Sequence, residues 1–266
     1  MSILKIACVQ QDIVFGNKDE NLITTAHSLN RVARDTDLVV IPELFSTGFI
    51  TDPDHMKAMA ETNDGHTMDD VIRWAQYFGT AICGTFLATD GSRYFNRAFF
   101  VEPSGDKYFY DKRHLFSISG EHKAYTAGTT QSPLIRYRGW NIKMFVCYDL
   151  RFPVWCRKYK NEFDIMLFPS NWAHSRIFQY RQLLSARAIE NNSIVVGCNR
   201  VGTDEYGDYP PGDSGIFNIR GHDVGQTDPS SGVIYATFDH DEFVTKRARF
   251  ATWMDADDFN ICLLYT

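Results

Sequence analysis

Short apolar runs alternate along the chain with segments whose apolar residues recur every three or four positions. ILKIACVQ, residues 3–10, reads as a β-strand. NKDENLITTAHSLNRVARD follows, with Leu22, Ala26, Leu29 and Ala33 on one face of an amphipathic helix. DLVVIPE is a second apolar strand closed by Pro42, and MDDVIRWAQYFG is a helix stopped by Gly79. TAICGTFLAT is a third strand. YFNRAFFVEPSGDKYFYDK alternates on either side of a Pro-Ser-Gly-Asp turn and predicts a hairpin.

The second half repeats the theme. NIKMFVCYD predicts a strand, PVWCRKYKN a short helix opening at Pro153, and FDIMLFPSN a strand. SRIFQYRQLLSARAIENN is a long helix and SIVVGCNRV a strand, while DSGIFNIRG and GVIYATFD suggest a closing hairpin. DLVVIPE in the first half matches FDIMLFPSN in the second. Two such halves can pack sheet on sheet with helices outside, an α/β fold of four layers, α-β-β-α. One doubly wound sheet competes with it, and the hairpins and the internal similarity favour the sandwich. No linker divides the chain, so residues 1–266 are expected to form one domain.

Composition narrows the function classes. The chain has 266 residues, 44% hydrophobic and 23% charged, which excludes disordered, collagen-like and small disulfide-stapled classes. Lys and Arg number 27 against 33 Asp and Glu, and the net charge of -6 argues against a nucleic-acid partner. No apolar run approaches the roughly 18 residues that span a bilayer, and MSILKIACVQQD lacks a secretory pattern. The cysteines Cys8, Cys83, Cys147, Cys156, Cys198 and Cys262 form no C-x-x-C pair. Most lie in apolar runs, where reduced structural thiols are found. A cytoplasmic protein with free thiols is expected, engaging neither membrane nor nucleic acid.

Three reactive side chains fall at predicted strand ends, where α/β folds gather their chemistry. They are Glu43 after DLVVIP, Lys112 after KYFYD and Cys147 after NIKMFV. Thiolate attacks, glutamate moves the proton, and lysine with the Tyr148 backbone amide can hold an oxyanion. Lysine favours the thiolate and glutamate opposes it. Position alone leaves the ordinary reading ahead, namely a packed cysteine and two rim charges.

The strings around these residues alter that balance. PELF (42–45), DKRHLF (111–116) and CYDLRFP (147–153) resemble, in order and spacing, the three catalytic signatures of the nitrilase superfamily of carbon–nitrogen hydrolases. The resemblance continues through FPSNW, SARAIENN and GCNRVG to about Trp253. It implies the α-β-β-α sandwich, assembly as a homodimer, and no metal or organic cofactor. It also implies Glu43 as general base, Lys112 as electrophilic stabiliser and Cys147 as nucleophile. Glu121, in SGEHKAY, fits a second glutamate that orients Lys112 or the attacking water.

CYDLRFPVWCR, ENNSIVVGCNRVG and RFATWMDADDF most resemble the bacterial omega-amidase branch. That implies a small-molecule substrate such as 2-oxoglutaramate or 2-oxosuccinamate. Its anionic end calls for a local donor, and Asn171, Trp172 and Arg176 follow FPS at a strand end. Arg151 lies in the tight CYDLRFP turn, where pairing with Asp149 or a carbonyl competes. His114 reads as structural or rim. Phosphate loops and metal-binding histidine spacings are absent, and neither His114 nor His174 lies in a peptidase motif. An N-carbamoyl amine or N-carbamoyl amino acid hydrolase is the alternative within the superfamily. Outside it stands an inactive sandwich acting as an interaction or thiol-redox module.

Overall fold

A computed structural model of the chain describes residues 2–261. Cys262, counted among the thiols above, lies outside them. The first five strands are β1 (Ile3–Cys8), β2 (Leu38–Val40), β3 (Ala81–Thr89), β4 (Tyr94–Val101) and β5 (Lys107–Asp111). Next come β6 (Ile135–Tyr137), β7 (Trp140–Met144), β8 (Ile165–Ser170) and β9 (Ile194–Asn199). A small hairpin, β10 (Gly202–Asp204) and β11 (Gly207–Tyr209), precedes β12 (Gly215–Phe217), β13 (Gln226–Thr227) and β14 (Ile234–Asp239). One sheet has the order β13-β14-β1-β2-β3-β4-β5 and the other β12-β9-β8-β7-β6. The matched strings occupy equivalent places, since β2 and β8 each run parallel to both neighbours.

Side-chain alternation explains the four layers. Leu4, Ile6 and Cys8 of β1, with Leu38 and Val40 of β2, face the second sheet and share a core with Ile142, Met144, Ile165 and Leu167. The intervening Ala7 and Val39 face outward, against Leu22 and Leu29 of α1 (Lys18–Asn30). Strands buried on both faces are apolar throughout, which is why they read as continuous runs. Helix α2 (Pro53–Met59) is followed by α3 (His66–Phe78), which adds Met68, Val71 and Ala75 to the outer core. It ends at Gly79, whose φ of 65° is the left-handed cap expected of a glycine stop.

The short α4 (Glu121–Ala124) and α5 (Pro153–Cys156) precede α6 (Ile177–Asn191), which covers the second sheet with Tyr180, Leu184 and Ala188, a stripe with a period of four. The helix lies so close to β9 that a Cβ at Gly197 would come within 2.5 Å of Leu184 Cδ1. Helix α7 (His240–Ala248) closes the helical series. None of the described helices is long and apolar enough to cross a membrane.

Some local expectations shift. Helix α1 ends at Asn30, so Ala33 lies beyond it, and α5 spans only the first turn of PVWCRKYKN. Strand β7 stops at Met144, and Cys147 opens a 3₁₀ turn, Cys147–Arg151. DSGIFNIRG and GVIYATFD do not pair with each other. β12 pairs with β9 and β14 with β1, so the two segments close different sheets. The stretch 218–233 between them is far longer than the roughly 2–5 residues of a hairpin loop.

Candidate active site

Three segments from the two sheets meet at one end of the sandwich. Glu43 lies just past β2, Lys112 follows β5, and Cys147 heads the turn after β7. The sheets are joined here directly: the Glu43 N–H donates to the Ser170 carbonyl at 3.4 Å, and the Asn171 N–H donates to Glu43 Oε2 at 2.9 Å. Two corner residues hold left-handed backbone without being glycine, Leu44 at φ 49° and Cys147 at φ 41°. Such conformations are costly and cluster where a side chain must be aimed. Asp149, with no exposed surface, braces the cysteine turn by accepting the Val146 N–H at 3.0 Å and the Tyr110 hydroxyl at 2.8 Å.

Glu43 and Lys112 are each 2% exposed and Glu121 is fully buried. Lys112 Nζ donates to Glu43 Oε1 at 2.8 Å and to the two oxygens of Glu121 at 3.0 and 2.9 Å. Burial opposes the Lys112 charge, yet Glu121 and Glu43 outweigh it and hold the ammonium well above the ordinary lysine value. Glu121 is pushed up by burial, with Lys112 pulling against it and Glu43 adding to the rise. Burial and then Glu43 raise the Cys147 thiol well above its ordinary value, despite Lys112. The direction favours the neutral thiol over the thiolate at Cys147.

A pocket of about 530 Å³, counted out to the solvent at its mouth, has Glu43, Lys112, Glu121 and Cys147 in its lining. That size suits a small ligand. Asn171, Trp172 and Tyr148 also line it. Cys147 Sγ lies 3.8 Å from the Asn171 carbonyl oxygen, and the Trp172 indole donates to the Arg176 carbonyl at 2.9 Å. Arg176 reaches the pocket over the Phe116 ring, 5.4 Å from its centroid. Arg151 also lines the pocket, 4.8 Å above the Trp172 ring. Neither arginine makes a side-chain ion pair among the described residues. Asp149 does not pair with Arg151, because His114 and Tyr110 already occupy it. His114 stacks on Phe152, and His174 pairs with Asp213, both away from the pocket lining.

The site also holds residues that the sequence did not single out. Asn96 on β4 donates to both glutamates, at 2.7 Å to Glu43 and 3.1 Å to Glu121. Its signal was an amide which, with Arg97 beside it, interrupts an otherwise aromatic and apolar strand, YFNRAFFV. Phe49 lines the pocket and meets Tyr206 edge-on at 5.2 Å. Tyr206 and Tyr209 come from the β10–β11 hairpin and its turn. Arg200 fastens that hairpin through Asp204 at 2.6 Å.

A buried thiol beside a carboxylate and an ammonium is an arrangement for acyl transfer. Residues 5–247 match the family described as carbon-nitrogen hydrolase. Omega-amidase YafV of Escherichia coli strain K12 is 38% identical over 263 residues, covering 97% of this chain and 98% of that protein. The 2-oxoglutaramate amidase of Bacillus subtilis strain 168 is 28% identical over 253 residues, 94% of this chain and 96% of that one. Among solved structures, XC1258 from Xanthomonas campestris is a CN-hydrolase superfamily protein with an arsenic adduct in its active site. It superposes with a TM-score of 0.91 at 34% identity, covering 98% of this chain and 100% of that one. By sequence, by structure and by the chemistry gathered in its pocket, the chain belongs to the carbon-nitrogen hydrolase family.

Proposed function

We propose that the protein is an omega-amidase, hydrolysing the terminal amide of a short 2-oxo acid such as 2-oxoglutaramate or 2-oxosuccinamate to a carboxylate and ammonia. The observation that carries this reading is the buried set Glu43–Lys112–Cys147 in a small pocket that also contains two arginines without carboxylate partners among the described residues. The similarity to enzymes named as omega-amidase and 2-oxoglutaramate amidase supports it.

In this mechanism Glu43 removes the Cys147 proton as sulfur attacks the amide carbon. Oε1 of Glu43 accepts from both Lys112 and Asn96, whereas Oε2 accepts the Asn171 N–H, so the less occupied Oε2 is the proton-accepting oxygen. Lys112 turns one of its hydrogens to the oxyanion, with the Tyr148 amide as second donor. Glu43 returns the proton to the departing ammonia. Water, deprotonated by a glutamate, then cleaves the thioester and frees the thiol. Glu121 orients Lys112. Arg176 receives the substrate carboxylate beside Asn171 and Trp172, and Arg151 lies at the same wall.

The reading extends to one domain acting as a cytoplasmic homodimer on free small amides. The core continuous between the sheets supports one domain. Apolar Val154 on α5 and Phe178 on α6, both well exposed, support a contact between copies. The test is a panel of 2-oxoglutaramate, glutamine, a nitrile and a carbamoyl amine. Ammonia released fastest from the 2-oxo amide is expected. Ammonia together with carbon dioxide from the carbamoyl amine would assign the carbamoyl branch. No turnover of any amide would sink the enzymatic reading.

A further inference from the structure

Asn96 has no exposed surface and links all three charged members of the site. Its side chain donates to Glu43 Oε1 and Glu121 Oε1, and its main-chain carbonyl accepts the Lys112 N–H at 3.0 Å. Chemistry fixes the direction of the amide. The Leu44 N–H donates to the Thr85 hydroxyl oxygen at 2.7 Å, and that hydroxyl donates to Asn96 Oδ1 at 2.8 Å. A reversed amide would set an oxygen against two carboxylates and leave the Thr85 proton without this acceptor.

Two carboxylates beside one ammonium carry one negative charge in excess. Paired carboxylates relieve such excess by retaining a proton between them. A proton held there would disable Glu43 as a base. The two hydrogens of the Asn96 amide point one to each carboxylate, on the Oε1 atoms that also share Lys112.

We propose that Asn96 is a positioning residue that orients both glutamates and occupies, with its two N–H bonds, the place of a shared proton, so that Glu43 stays free to accept the proton of Cys147. The proposal rests on Glu43 being the base. The other titratable and charged groups facing this pair are Lys112, Cys147 and Tyr125, with Tyr206, Tyr209 and the two arginines toward the mouth. All are unchanged in the variants below, so a displaced pH profile reports the amide.

The experiment is the pH dependence of kcat/KM on the fastest amide of the panel. Asn96→Ala is expected to lose about a hundredfold at neutral pH, the scale of impaired general-base help. Its acid limb should move up by about one pH unit, because a carboxylate loses a donor that favours its charged form. KM should stay near the wild-type value. Thr85→Val, which releases the amide's orientation without removing it, should shift the limb in the same direction by less, and Thr85→Ser should restore it. An unmoved acid limb in folded Asn96→Ala overturns the proposal. Should that variant fail to fold, an unmoved limb in Thr85→Val does so. Glu43→Gln is measured alongside. If it is inactive while the limb stays fixed, the Asn96 proposal alone falls; if it is active, the base assignment falls too.

Discussion

Asp149 grips His114 twice with one oxygen: Oδ1 accepts the His114 N–H at 2.9 Å and lies 2.8 Å from its ring Nδ1. Asp149 is two residues past Cys147 and His114 two past Lys112, so this contact ties the Cys147 turn to the Lys112 loop. The other oxygen takes the Tyr110 hydroxyl and the Val146 N–H. Asp149→Ala should therefore cost about 3 kcal/mol or more of stability, since it strands several buried donors. It should also lower turnover. Denaturant unfolding and rates on the same preparation check this; a variant as stable as wild type would dismiss the clamp.

Cys147→Ala should abolish turnover with the fold retained, because no thioester can form. Acid-quenched wild type mixed with substrate should carry an acyl mass on the peptide containing Cys147. Glu43→Gln and Lys112→Met should each reduce kcat by roughly a hundredfold or more. Substantial activity in any of these purified variants removes that residue from the chemistry.

The pocket arginines predict substrate discrimination. Arg176→Ala should lower kcat/KM for 2-oxoglutaramate by about 30-fold or more, the scale of losing one partner of a desolvated charge pair. A neutral amide of equal length should lose far less. Arg151→Ala tested on both substrates shows whether the second guanidinium shares the carboxylate. Equal losses on both amides would mean that the arginines support the wall rather than read charge.

Lys158 offers a prediction about stability. It is buried over the Phe163 ring, and burial, aided by Arg247, pulls its ammonium from the ordinary lysine value down to about 6. The unfolded chain holds that proton up to about pH 10. Between these values the unfolded state binds the extra proton, so this group's contribution is full above about pH 10 and is lost as pH falls toward 6. Lys158→Met should raise Tm most near pH 6, with the gain shrinking toward pH 10. A gain independent of pH would trace to packing alone.

The three candidate residues were legible because each lies in a short string with its own local constraint, the PELF corner, the DKRHLF strand end and the CYDLRFP turn. The central strands β2 and β8 were legible because burial on both faces leaves them as nearly unbroken apolar runs. What escaped depends on contacts between distant segments. Whether Arg151 turns to Asp149 or to the pocket is decided by Tyr110 and His114, which reach Asp149 from the end of β5 and the loop beyond it. The partners of β12 and β14 depend on which sheet has an unfilled edge, which is a global property. Asn96 looked like one polar residue in a hairpin until Glu43 and Glu121, far from it in sequence, closed around it.

The Glu43 N–H bond to Ser170 and the Asn171 N–H bond to Glu43 cross from one sheet to the other inside the candidate site. Glu43 and Cys147 are thus mounted on separate platforms, and their separation is set by the thickness of the apolar filling between them. Turnover becomes a gauge of how the two platforms are seated. A cavity cut into the shared core at Leu4 or Ile165, remote from any reacting atom, would show itself as lost catalysis before it showed itself as lost structure.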